Sequence, residues 1–175
     1  ENQHKPVIAI FANENSAEIS DQIQSRVGSM GKTKVVIRKG DPTNPRDLAR
    51  TNIGSASSVI ILDKDTSNDA AIISTILSIK AADSDGTIPV IAEIDEKTHS
   101  EALSDATEGR VLSVQSNQLI ARVTAQASRQ PGLAAVVLDL LDFEGDEIYF
   151  HSSKELLGKK YSDALTSFNN ASVIG

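Results

Sequence analysis

Short runs of Val and Ile alternate along the first two thirds of the chain with segments whose apolar residues recur every three or four positions. The runs predict buried parallel strands, because strands covered by helices on both faces are apolar throughout. They occupy residues 7–11, 35–37, 59–62, 90–92 and 111–114. The spaced segments predict helices over about 16–29 and around 72–80. Strands that alternate with helices indicate an α/β fold, a doubly wound parallel sheet of Rossmann-like type.

The alternation stops after residue 114. Spaced apolar residues predict one helix around 119–127, which ends at Gln130-Pro131-Gly132, where the proline can open a second helix. A strand at 147–150, a short helix over 162–168 and a strand at 171–174 then indicate the start of a small α+β lobe. The predicted organisation is an N-terminal lobe over 1–130, a crossover helix over 131–144 and an incomplete C-terminal lobe over 145–175.

The second helix of this helix-turn-helix crossover carries an apolar stripe that a single copy of the chain would have difficulty burying. We therefore expect it to pack against a neighbouring copy, which makes the protein a homo-oligomer. The predicted interface residues are Leu133, Val136, Val137, Leu140 and Leu141.

A Rossmann-like sheet raises the question of nucleotide binding. Pyrophosphate sites need glycines in the first strand-to-helix turn, where the backbone approaches the phosphates. Residues 11–17 contain no glycine, and Glu14 would place a negative charge beside a phosphate. NAD is therefore not expected to bind. Asp41 follows the second strand, where a ribose-binding carboxylate could lie in a degenerate site, but it also suits a turn in which Asn44 caps a helix that begins at Pro45.

Composition and charge narrow the function further. The net charge is −7 and no run of Lys and Arg is present, which argues against a nucleic-acid partner. No apolar run approaches the roughly 20 residues of a membrane-spanning helix, so this fragment is not expected to insert into a bilayer. The chain has no cysteine for a disulfide or a thiolate metal site. Neither a Gly-x-Ser-x-Gly elbow nor a phosphate-binding Gly-x-x-x-x-Gly-Lys loop is present, and no enzyme activity is predicted.

Acidic side chains follow the third and fourth strands, at the sheet edge where open α/β sheets usually bind ligands. Because Ca²⁺ prefers several carboxylate oxygens, they form a candidate calcium site. Its residues are Asp63, Asp65, Asp69, Glu93 and Asp95. Carboxylates at helix N-termini also offset the helix dipole, and that alternative stays open.

Two other sets of residues are weaker candidates for an ion site. A third acidic group lies around the end of the crossover helix and includes Asp139 and Asp142, although it also suits a solvated turn. The histidines His4, His99 and His151 have no metal-like spacing, and we interpret them as surface residues.

Specific segments resemble the Castor/Pollux family of ion channels, whose cytosolic part is similar to the regulator of K⁺ conductance (RCK, TrkA-N-like) domain. The most specific are Gly40-Asp-Pro-Thr-Asn-Pro45 and Arg129-Gln-Pro-Gly-Leu133. Residues 56–62, 88–94 and 141–150 extend the similarity over nearly the whole chain.

The resemblance implies a cytosolic gating-ring domain that senses a ligand, plausibly Ca²⁺, and regulates K⁺ or Ca²⁺ transport through a tetrameric cation channel. The domain would dimerise within that ring, on the cytoplasmic face of a membrane, which is the nuclear envelope in plant members. The transmembrane pore would lie outside this chain. Two alternatives remain: a nucleotide-binding α/β domain, and a ligand-free oligomerisation scaffold.

Overall fold

Parallel strands form the framework of the chain. The computed structural model describes residues 6–62, 69–83, 85–142, 148–169 and 171–174. In these residues the strands form two parallel ladders, one in which β1 pairs with β2 and one in the order β3-β4-β5. The α/β fold class predicted from the sequence is confirmed. The strands are β1 Val7–Ala12, β2 Lys34–Lys39, β3 Val59–Ile61, β4 Val90–Glu93 and β5 Val111–Val114.

Helices follow each of these strands. The helices are α1 Ser16–Val27, α2 Pro45–Ala49, α3 Asp69–Ala82, α4 Lys97–Ala106, α5 Ser116–Arg129, α6 Leu133–Leu141 and α7 Tyr161–Ala164. Short 3₁₀ turns occupy Ile53–Ser55 and Lys154–Leu156. The chain divides into two compact units, residues 1–122 and residues 123–175, and the division falls inside α5.

Local capping explains where the first helices begin. Asn15 precedes α1, and its side chain accepts a hydrogen bond from the backbone N–H of Ala17. Asn44 does the same for α2 through the N–H of Arg46, with Pro45 at the first helical position. These side chains satisfy N–H groups that a helix start leaves free. The cap predicted at Asn44 is therefore confirmed, and Asn15 has the same role at the start of α1.

The core of the first unit is aliphatic and lies around α3 and β4. Ile76 of α3 and Ile94, just after β4, are 2% and 0% exposed. The hydroxyl of Ser78 on α3 also donates to the backbone oxygen of Thr43, which joins this helix to the loop before α2. The buried cluster is Leu48, Ile53, Ile72, Ile76, Ile79, Ile88, Val90, Ala92, Ile94, Leu103 and Val111.

One face of the three-stranded ladder is open. Ile60, Ile91 and Leu112 are paired directly across β3, β4 and β5, so they form one row. Ile60 and Leu112 are 65% and 63% exposed. The buried residues Val90 and Ala92 alternate with this row and face the core. The prediction that all strands are covered on both faces is therefore wrong for this ladder, because α3 contacts β4 and α4 contacts β5 while the side chains of Ile60 and Leu112 stay exposed.

The second unit differs from its prediction. The described parts of the predicted strands, 148–150 and 171–174, are not strands, and Glu147 lies outside the described residues. Phe150 is fully exposed and Tyr149 is 77% exposed, because the apolar run has no ladder partner in the described part of the unit. The predicted helix over 162–168 is the shorter α7. A strand needs a pairing partner as well as an apolar sequence.

Candidate functional site

The carboxylate of Asp69 joins two elements at the carboxyl edge of the sheet. Asp69 is the first residue of α3, and its side chain is only 12% exposed. Its two oxygens accept hydrogen bonds from the backbone N–H groups of Asp95, at 3.4 Å, and Glu96, at 3.3 Å. These two residues lie between β4 and α4. The structure therefore places the carboxylate of Asp69 against the backbone of Asp95, which joins the start of α3 to the end of β4.

His99 completes a compact cluster with Asp69 and Glu96. Its Nδ1 lies 2.8 Å from Oδ2 of Asp69 and 3.4 Å from Oε2 of Glu96, and one ligand atom from each residue fits within 4.8 Å of the other two. The hydrogen bond to Asp69 raises the pKa of His99 above its ordinary value, aided by the charges of Glu96 and Asp69 and opposed by desolvation. Burial raises the pKa of Asp69, but bonds from His99, Glu96 and Asp95 outweigh it, so that pKa is lowered.

The first residues of α5 bind the end of β4. The hydroxyl of Ser116 donates to Oε1 of Glu93, and Nδ2 of Asn117 donates to Oδ2 of Asp95 at 2.6 Å. The other carboxylate oxygen of Asp95 is buried and has no hydrogen-bond partner among the described residues. A buried oxygen without a donor is costly in a folded protein, which makes it a natural acceptor for a cation.

The described carboxylates thus lie along the edge where three helices begin, and among the described residues the ligand atoms of Asp69, Glu96 and His99 come within 4.8 Å of one another. Asp69, Glu93, Asp95 and Glu96 supply oxygen atoms, which are the ligands that Ca²⁺ prefers, and His99 adds one nitrogen. Asp63 and Asp65, the other predicted calcium ligands, lie outside the described residues.

Asp41 lies in a turn. Its Oδ1 accepts hydrogen bonds from both the backbone N–H and the hydroxyl of Thr43, at 2.9 and 2.7 Å, and these bonds lower the pKa of Asp41. A side chain on the preceding Gly40 would collide with the ring of Phe11, which explains the glycine at this position of the motif. The turn geometry thus accounts for the Gly-Asp-Pro-Thr-Asn-Pro segment by local packing.

Several residues of this edge were not predicted as ligands from the sequence. His99 was interpreted as a surface residue, and its side chain is indeed 44% exposed, yet it pairs with Asp69. Its position three residues after Glu96, just past a strand, is the signal that indicates a shared helix face. Ser116 and Asn117 carry no comparable signal, because their partners are more than 20 residues away in sequence.

The helix α6 exposes the apolar side chains predicted to form an interface. Leu141 is 68% exposed, Val136 55% and Leu140 41%, whereas Leu133 and Val137 are half-buried. None of the residues of α6 is buried. Asp139 and Asp142, the described members of the third acidic group, lie on this helix and at its end, and the remaining members fall outside the described residues.

Comparison with protein-family models divides the chain into two matched parts. Residues 1–117 match the calcium-activated potassium channel slowpoke-like RCK domain. Residues 117–175 match the model described as Castor and Pollux, part of voltage-gated ion channel. The boundary between the two matches lies at the start of α5.

Curated relatives match nearly the whole chain. A probable ion channel POLLUX from Arabidopsis thaliana is 27% identical over 168 residues, which is 94% of this chain and 20% of the relative. The ion channel CASTOR from Lotus japonicus is 27% identical over 164 residues, 92% of this chain and 19% of the relative. The chain thus spans about a fifth of the length of these relatives.

A solved structure, the crystal structure of the GsuK RCK domain, is 22% identical, with a TM-score of 0.36 over 64% of this chain and 26% of the other. Within the described residues, no helix combines the length and apolar content needed to cross a bilayer.

Proposed function

Because the chain belongs to the slowpoke-like RCK domains and to the Castor/Pollux family of ion channels, we propose that it is the ligand-sensing gating-ring domain of a cation channel. The relatives are named as ion channels, which fits a regulatory rather than a catalytic role. The pore and the conducted ion, K⁺ or Ca²⁺, belong to parts of the channel outside this chain. The domain would lie on the cytoplasmic face of the membrane, which in a plant is the nuclear envelope.

We propose Ca²⁺ as the ligand, bound by Asp69, Glu93 and Asp95 and completed by Asp63 and Asp65. One observation supports this proposal: the buried Oδ1 of Asp95, at the edge of the sheet where these acidic residues lie, has no hydrogen-bond donor among the described residues. A calcium ion would supply the missing positive partner, and its six to eight oxygen ligands would draw on several of these groups.

The same carboxylates offer a way to transmit ligand binding. Glu93 and Asp95 hold Ser116 and Asn117, the first residues of α5, and this helix continues past the end of the first unit. A ligand that recruits these oxygens competes with the bonds to α5. It shifts the domain only by its differential affinity for two conformations, typically about 1–3 kcal/mol of coupling.

Assembly would proceed through α6. Its exposed apolar residues, with Leu141 and Val136 the most exposed of the predicted interface set, fit a helix that packs against a second copy. Dimers joined in this way would build the ring of a tetrameric channel.

A calcium titration of the 175-residue chain, followed by thermal unfolding, tests the ligand. We expect Ca²⁺ to raise the melting temperature, since a ligand present at about 100 times its Kd stabilises the folded state by about 2.7 kcal/mol. Asp95→Asn should lose most of this response. Asp105→Asn is the matched control, because it removes the same charge from an exposed position at the other end of α4.

The alternatives give different results in the same assay. An unchanged melting temperature at millimolar Ca²⁺ would remove calcium as the ligand. Stabilisation by NADH, NAD or ATP instead would favour a nucleotide-binding domain, in which Asp41 would be the residue to test. A stable oligomer that responds to none of these ligands would favour a scaffold.

A further inference from the structure

We propose that Asp69, Glu96 and His99 form a binding site for a divalent transition-metal ion such as Zn²⁺, which shares Asp69 with the proposed calcium ligands but adds a nitrogen donor. The inference rests on the proposed ligand-sensing role of this edge and adds a second class of ligand. It would make the domain responsive to two kinds of ion.

The donor atoms already have the spacing of a metal site. Nδ1 of His99 lies 2.8 Å from Oδ2 of Asp69 and 3.4 Å from Oε2 of Glu96. Zinc binds nitrogen and oxygen donors at about 2.0–2.2 Å, so donors at tetrahedral angles lie roughly 3.3 Å apart. The cluster therefore needs only a small expansion between Asp69 and His99, and water would fill the remaining coordination positions.

The nitrogen donor selects the metal. Calcium and magnesium prefer oxygen ligands, whereas imidazole is a common ligand of Zn²⁺, Ni²⁺ and Cu²⁺. One imidazole and two carboxylates on one side of an ion form an open site of the kind that transition metals occupy.

The ligands are held on regular elements. Asp69 begins α3, its carboxylate is fixed by two backbone N–H groups, and it is nearly buried. Glu96 and His99 lie one turn apart at the start of α4, so their side chains share a face. Glu96 is 63% exposed and leaves the site open to solvent.

A further observation at this edge is the buried Oδ1 of Asp95, which has no hydrogen-bond partner among the described residues. It belongs to the residue directly before Glu96, whose own N–H is bonded to Asp69. The His99–Asp69 hydrogen bond holds the cluster together. A metal bound to Nδ1 of His99 would displace the proton of this bond to solvent and would need only the small separation of the two side chains given above.

Calorimetric titration of the full chain with Zn²⁺, together with Co²⁺ absorption spectra, tests the site. We expect one equivalent of Zn²⁺ to bind and the Co²⁺ spectrum to show nitrogen coordination. His99→Gln should weaken binding by about tenfold or more, since even the loss of an outer-shell partner costs about 10–100-fold. His151→Gln is the matched control, because this histidine lies in the second unit against Phe168.

Glu96→Gln guards against a folding defect, because its exposed side chain contributes no core packing. It should also weaken Zn²⁺ binding, with an unchanged circular dichroism spectrum. Absence of Zn²⁺ binding to the wild type, or equal binding by His99→Gln and wild type, would overturn the proposal. The rise in melting temperature with Ca²⁺ is a separate readout, which His99→Gln should retain. A wild type that binds Zn²⁺ but shows no response to Ca²⁺ would refute the calcium site and support the zinc site.

Discussion

Truncation of Leu141 to alanine tests whether α6 is an assembly surface. In the single chain this side chain is 68% exposed, so its loss should change the free energy of unfolding of the monomer by less than about 1 kcal/mol. In an assembly it would be buried. Leu→Ala removes the equivalent of about three methylene groups at about 0.8 kcal/mol each, of which roughly two thirds would be newly buried, or about 1.6 kcal/mol per copy.

A two-fold interface contains the substituted residue twice, so the effect doubles. The dimer should lose about 3 kcal/mol, which corresponds to a dissociation constant roughly 150-fold higher. Analytical ultracentrifugation over a concentration series measures this constant directly. The expected result is a shift from dimer to monomer at a protein concentration where the wild type stays associated.

Leu77→Ala is the matched control. Leu77 is also a helical leucine and is 60% exposed, but it lies on α3 in the first unit. Its truncation should leave the dissociation constant unchanged. Equal dissociation constants for Leu141→Ala and wild type would refute the reasoning and leave α6 outside the interface, and an equal loss in both variants would show that the effect does not report on α6.

Two further predictions concern the first unit. Ile76→Ala removes a side chain that is 2% exposed, so urea unfolding should show a loss of about 2–5 kcal/mol against about 0.5–1.5 for Ile76→Val, and equal losses would contradict the packing. The pKa of Asp69 is lowered in the folded state, so its charged form stabilises the fold above pH 3.8, and that stabilisation is lost as the pH falls through the folded-state pKa. The pKa of His99 is raised, so its charged form stabilises the fold below pH 6.5, and that stabilisation is lost as the pH rises through the folded-state pKa. The wild type should therefore melt at a higher temperature than His99→Gln, with the largest difference between pH 3.8 and 6.5 and a smaller one above pH 6.5. A difference that stays constant from pH 5 to 9 would contradict this linkage.

Local patterns predicted the first unit well because its elements are fixed by near neighbours. The Val and Ile runs predicted the strands, and Asn44 predicted the start of α2, since a cap acts within three residues. The resemblance to Castor/Pollux channels led to the proposed function, which the α/β pattern alone could not indicate, because many unrelated functions share that fold.

Features that depend on distant contacts were not predictable in the same way. His99 has no metal-like spacing along the chain, and its partner Asp69 is 30 residues away. The helix α4 was not singled out, since among its residues only Leu103 is buried. The predicted strand over 147–150 has the right composition, but in its described part an apolar run without a ladder partner does not become a strand.

The row formed by Ile60, Ile91 and Leu112 affects how the isolated chain should behave on the bench. Exposed aliphatic side chains aligned across three strands favour non-specific association beyond the proposed dimer, and the net charge of −7 opposes it. Salt shortens the range of that repulsion to about 8 Å at physiological ionic strength. Solutions of the chain should therefore stay clear at low salt and become turbid as salt is added. A protein whose copies attract one another through opposite charges would show the opposite dependence on salt.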